Sequence, residues 1–221
     1  MKMKIINLLA KQIGTVALIV LVMFAIKTSA NNQSQLNQSV SDGVKAIDIV
    51  DAGGTTVASP SVSFTSATFS FATQDTTGTL GVSAERIRIF NPTATATWTA
   101  SIAGSATTAT WTTGSAYYDF NDATGSGYTD GADTDVYGGQ LNIAPAGGTL
   151  AGVSGCVTTN VSLGSNSAFS EGSIDSITLA SGAAGASTFC RWDVTNIGLT
   201  QKMPASQVSG SYALNLVLSI I

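Results

Sequence analysis

Short runs in which apolar and polar residues alternate recur along most of the chain, and a period of two is the signature of a strand with one covered face. Residues 44–50 (VKAIDIV) open the series. In 86–89 (RIRI) the arginines take one parity and the isoleucines the other, which predicts charge outward and apolar side chains inward. Residues 95–102, 108–111, 141–143, 157–163, 174–179 and 188–194 continue it, separated by Gly- and Ser-rich breaks and by the turn signal Asn91-Pro92. Residues 61–71 (SVSFTSATFSF) place Val62 and Phe64 on one parity but Phe69 and Phe71 on the other. One regular strand cannot bury both pairs, so a bulge or two strands are expected there. In 212–220, Tyr212, Leu214, Leu216, Leu218 and Ile220 share one face. This last strand has neither the Lys nor the Pro that usually protects an exposed edge, which fits an interior strand first and a donated one next.

Strands at roughly ten-residue intervals, with turn signals between them and no 3.6-residue period, predict an all-β sandwich or barrel. The expected fold is a single two-sheet β-sandwich, immunoglobulin-like or jelly-roll-like, over residues 44–221. No second zone of composition and no internal repeat interrupts it. Residues 31–43 are rich in Asn, Gln and Ser and read as a flexible polar entry segment.

The first 30 residues have a different character. Lys2, Lys4 and Lys11 precede an uncharged, almost wholly apolar run of 14 residues, 13–26, and Thr28-Ser29-Ala30 then supplies small residues. That is the layout of a secretory signal, cleaved after Ala30. The run is shorter than the ~20 residues a spanning helix needs, and Lys27 follows it directly; a retained N-terminal anchor is the alternative. In either case the body of the protein is exported, with no membrane span in the mature chain.

Removing the leader changes the charge. Four of nine basic residues lie in 1–30 and all 13 acidic residues beyond it, leaving five basic groups, scattered, against 13 acidic ones, a net of −8. Phosphate recognition rests on clustered Lys and Arg, so nucleic acid is excluded as a partner. The chain contains no histidine. That removes the commonest general base, any Ser-His-Asp or Cys-His site and the usual zinc ligand. No catalytic motif appears and no pair of carboxylates stands out for glycoside hydrolysis; the chain reads as non-enzymatic. Cys156 and Cys190 are the only thiols. In an exported protein they read as a disulfide, with two buried free thiols as the alternative.

One segment concentrates charge. Asp119, Asn121, Asp122, Asp130, Asp133 and Asp135 lie within 117–137, so five of 13 acidic residues occupy 17 positions. Hard oxygen ligands in a glycine-bearing loop suit calcium, although the spacing is not that of an EF-hand; a solvated acidic loop is the competing reading. Trp98, Trp111 and Trp192, with the neighbouring tyrosines, raise the question of a sugar-stacking surface. Trp98 and Trp192 lie in alternating strands, where core packing is expected. Tyr118 and Tyr128, flanking the acidic loop, are the candidates for an exposed ligand-binding surface.

The chain end, Tyr212-x-x-x-Leu216-Val217-Leu218-Ser219-Ile220, resembles the terminal signature of WxL-type bacterial cell-surface domains, a Tyr followed at fixed spacing by Leu-Thr-Trp-x-Leu. Tyr212 and Leu216 agree, Ile220 stands for the final Leu, and Val217-Leu218 replaces Thr-Trp. Trp98-Thr99-Ala100, preceded by Arg88-Ile89-Phe90-Asn91, is similar to that family's Trp-x-Leu and its lead-in strand, with Ala for Leu. The resemblance covers about a dozen positions and implies a β-sandwich held non-covalently on a bacterial cell wall. The function expected is therefore that of a structural or adhesive surface protein at the outside of a bacterium. A carbohydrate- or wall-binding module and a self-assembling fibre subunit are the alternatives, with wall polymers, other surface proteins or the chain itself as partners.

Overall fold

The computed structural model describes residues 38–122 and 138–221; the expected leader, Tyr128, Asp130, Asp133 and Asp135 lie outside them. Two compact units divide the chain at Ser41 and Asp42. In the first, residues 38–41 are exposed and take no regular structure. The second, Asp42–Ile221, holds every strand.

In chain order the strands are β1 (Ala46–Val50), β2 (Gln74–Leu80), β3 (Arg86–Asn91), β4 (Trp98–Gly104), β5 (Trp111–Thr112), β6 (Tyr117–Tyr118), β7 (Gln140–Ala144), β8 (Thr149–Gly152), β9 (Val161–Leu163), β10 (Ser167–Ala168), β11 (Ser176–Gly182), β12 (Cys190–Thr195), β13 (Ile197–Met203) and β14 (Leu216–Ile220). A 3-10 turn at Pro145–Gly147 is the one helical element among the described residues, and no helix there is long and apolar enough to cross a membrane. The all-β sandwich expected from the alternation is what forms. Its ladders are antiparallel throughout and run as three four-stranded sheets, β1-β3-β12-β8, β10-β7-β13-β2 and β14-β4-β11-β9, with β5-β6 as a short hairpin.

Period-two burial builds the shared core. Trp98, Ala100 and Ile102 point inward from β4, Leu141 and Ile143 from β7, and Ile197 and Leu199 from β13. Trp98 and Trp192 are both buried, their rings 5.2 Å apart, as their place in alternating strands predicts. The Trp192 indole donates to the Val157 carbonyl at 2.8 Å, and Cys156 and Cys190 form the disulfide beside it. Gln201 occupies a core-facing position of β13 and is fully buried. Its Oε1 accepts from Trp111 Nε1 at 2.8 Å, and its Nε2 donates to the carbonyls of Asp119 and Lys202. A buried amide is tolerated because both of its ends are satisfied.

Three expectations are corrected. Residues 61–71 form no strand. Val62 and Phe64 turn inward over Gly78 of β2, where a Cβ would meet both side chains. Phe69 and Phe71 stay exposed, in edge-to-face contact with each other. The parity flip is absorbed by irregular chain, with Thr65 N donating to Thr77 O, instead of by a bulge. Arg88, expected to face solvent, is buried, because the turn after β1 covers it and Asp193 neutralises it. The chain's final strand, expected inside a sheet, ends one: β14 has β4 as its only ladder partner.

Candidate functional site

The N-terminal part of the acidic segment is pulled into the molecule. Phe120 is a core residue, edge-to-face with Phe169 at 5.0 Å, and its burial carries Asp119, Asn121 and Asp122 inward with it. Asp119 Oδ1 accepts from the main-chain N–H groups of Phe120 at 2.6 Å and Asn121 at 3.4 Å. The Asp119 and Asp122 N–H groups donate to the carbonyls of Gly138 and Gly139. Gly139 has φ of +138°, and a Cβ there would strike the Asp119 carbonyl, so only glycine fits. Asn121 Nδ2 donates to the Thr107 carbonyl, while its buried Oδ1 has no hydrogen-bond partner. Among the described residues no three acidic or thiol side chains are grouped to hold a metal ion. The three described members of the expected calcium set are thus neighbours on a buried stretch rather than on a solvated loop.

Tyr118 is also buried, which removes it from the exposed ligand surface expected of it. It lies between Trp111, stacked at a centroid distance of 5.8 Å, and Tyr212 at 4.9 Å. Burial pushes its hydroxyl far above the ordinary tyrosine range, and Tyr212 adds to the shift. The aromatic side chains here hold β6 against the chain leading into β14 instead of offering a platform for sugar.

The concave feature of the surface lies on the other side of that aromatic stack. A cleft of about 360 Å³ opens between β14 and the segment after β1. Leu214, Leu216 and Leu218 form one wall, Ile49, Val62 and Phe64 the other, and Leu80, Ile102 and Leu141 lie at its base. Polar groups are confined to positions such as Ser61, whose N–H donates to Glu85 Oε2 at 3.1 Å. The leucines of β14 are only half-buried in consequence. The alternation read from 212–220 is therefore real, yet its apolar face lines an opening rather than a closed core.

The main chain of β14 is directional in the same way. Ile221 and Thr99 exchange both N–H···O bonds at 3.1 Å, Ser105 N donates to Asn215 O, and Ala213 exchanges bonds with Thr112. Bonding alternates along an antiparallel strand, so positions 213, 215, 217, 219 and 221 bond to β4 and β5. Leu214, Leu216, Leu218 and Ile220 then aim their N–H and C=O groups at the open edge, where no strand pairs with β14. Sequence reasoning identified this strand but not its open side, because β2, whose inner positions are Thr76 and Gly78, carries too little apolar alternation to be seen as the neighbour that the cleft displaces. Compared with known proteins, the chain matches no family model, no curated protein and no solved structure.

Proposed function

We propose that this chain is an exported, non-enzymatic structural protein of a bacterial cell surface that joins to other chains by taking an extended strand into the cleft beside β14. The observation that carries the reading is the coincidence of an apolar cleft with an unpaired strand edge. A lipid or other purely apolar ligand fills such a cleft but leaves the N–H and C=O groups of Leu216 and Leu218 unmatched. An extended polypeptide satisfies both, by main-chain bonds along the edge and by every second side chain in the cleft. The leader-like first 30 residues, the Cys156–Cys190 disulfide and the resemblance to WxL-type domains support a location outside the cytoplasm. The absence of histidine and of any catalytic motif supports a structural role.

The test is retention on the cell envelope. Exported protein is expected to sediment with washed envelopes of the bacterium that makes it, and a Leu216→Lys variant to stay in the supernatant. Val217→Thr, on the opposite face of the same strand, is expected to behave as the parent. Circular dichroism establishes that each variant is folded. Equal retention of folded Leu216→Lys, or turnover of a substrate that is lost on replacing one carboxylate, overturns the reading.

A further inference from the structure

Resting on that strand-binding reading, we infer that the occupant of the cleft is the segment preceding β1 of a second copy of this chain, added head to tail. The segment has the required pattern. Every odd-numbered residue from Asn31 to Ser41 is polar, while Leu36 and Val40 share the even parity, so an extended strand presents both on one face and only polar groups on the other. None of residues 31–41 is charged, as an apolar cleft demands of a guest.

The exit point of the chain selects a second copy over the molecule's own segment. Asp42 Oδ2 accepts from Ala94 N at 3.0 Å, and Gly43 N donates to the Pro92 carbonyl at 2.9 Å. These bonds fasten the start of the folded unit to the turn that follows β3. The cleft lies at the other end of β3, beside Glu85 and Ile49. Six residues of strand separate the two ends, roughly 20 Å. To enter its own cleft the segment would have to reverse at Asp42-Gly43, which those two bonds hold. A neighbour's cleft receives it without reversal. Donor and acceptor are then different surfaces at opposite ends of one molecule. Such a contact is heterologous and propagates as an open filament instead of closing as a dimer.

The deciding experiment uses the exported chain and a Leu36→Asp/Val40→Asp variant of it, both substitutions lying outside the folded unit. Negative-stain electron microscopy and sedimentation are expected to show filaments for the parent and monomers for the variant, with the same melting temperature for the two monomeric forms at low concentration. A synthetic peptide of residues 31–41 is expected to bind the variant one to one and to shorten parent filaments, and a Leu216→Lys chain is expected not to bind it. Filaments from the double variant, or a parent that stays monomeric at every concentration tested, overturn the inference. Should filaments be absent while envelope retention still depends on Leu216, the inference fails and the strand-binding reading stands; loss of both removes both.

Discussion

Arg88 and Asp193 are register partners across the β3–β12 ladder, joined by a two-pronged ion pair that is buried at the sandwich's outer face. Arg88 Nε meets Asp193 Oδ1 at 2.7 Å and Nη2 meets Oδ2 at 2.9 Å, with Arg86 Nη1 at 3.5 Å from the same oxygen. The Asp193 bond, helped by the negative charges of Asp193 and Asp51, holds the guanidinium above its ordinary range against the opposing effect of burial. Gly54, at φ of +91°, crosses so close to that guanidinium that a Cβ would collide with it. Asp51 Oδ1 fixes the same turn by accepting from Thr55 N at 2.9 Å, which lowers its own pKa. The turn after β1 is therefore shaped around Arg88, and the pair sets how β1 leaves its sheet toward the cleft.

Removing one partner leaves the other charge buried and unmatched, which costs about 3–5 kcal/mol, whereas an apolar replacement of both is close to neutral. Asp193→Ala is accordingly expected to lose stability of that order in urea unfolding, and Arg88→Met/Asp193→Leu to recover most of it. A loss below about 1 kcal/mol for Asp193→Ala would show the pair to be no better than a surface bridge.

The disulfide ties β12 to the loop after β8, across 34 positions of sequence. Cross-linking a loop of this length restricts the unfolded chain by about 3.5–4 kcal/mol. Reduction is expected to lower the melting temperature by roughly 7–16 °C, the span appropriate to a domain of this size. Calorimetry with and without a phosphine reductant measures it, and coincident melts would mean that the bridge adds nothing to stability.

How much of this was readable beforehand depended on which face of each strand carried the information. Trp98, Ala100 and Ile102 alternate against Thr99 and Ser101, and β4 is where the pattern places it. The bridge followed from there being two cysteines in an exported chain. β2 and β13 escaped notice for a physical reason: their inward positions include Thr76, Gly78 and Gln201, small or polar residues that fit only because Val62, Phe64 and Trp111 cover or bond them from elsewhere in the chain. Arg88 looked solvent-facing because its partner lies 105 positions away. The cleft was illegible for the same reason. Half-burial of Leu216 and full burial of Ile102 look identical in a one-dimensional pattern, and only the missing neighbour of β14 distinguishes them.

The acidic segment gives a prediction that concerns calcium. Asp119, Asn121 and Asp122 are buried, and Asn121 Oδ1 lacks a hydrogen-bond partner. A hard cation drawing on these oxygens and on the acidic residues that follow would supply that partner and offset their repulsion. Sites in extracellular proteins bind calcium at roughly 10⁻⁴–10⁻³ M, so 10 mM calcium would stabilise the fold by about 1.4–2.7 kcal/mol. The expected rise in melting temperature over an EDTA-treated sample is roughly 3–10 °C. Asn121→Leu is expected to abolish most of that rise. Identical melts in calcium and EDTA would remove the site.

Tyr118 sets the alkaline limit of the fold. Its phenol is buried between Trp111 and Tyr212, and desolvation first, then Tyr212, disfavours the phenolate in the folded chain. Below pH 10 the residue is protonated whether the chain is folded or not, so it contributes no pH dependence there. Above pH 10 the unfolded chain releases the proton while the folded chain keeps it. The unfolded state then binds fewer protons, and stability falls as pH rises. At pH 11, one unit above the unfolded value, the loss is about 1.4 kcal/mol. Tyr118→Phe cannot ionise and is expected to lose that much less than the parent between pH 8 and pH 11 in urea unfolding. Tyrosinate absorbance of the folded parent is expected to lack one residue's contribution until the protein unfolds. A variant and parent with superimposable alkaline profiles would mean that the ring reaches solvent, and the packing of β6 against the approach to β14, on which one end of the cleft depends, would have to be redrawn.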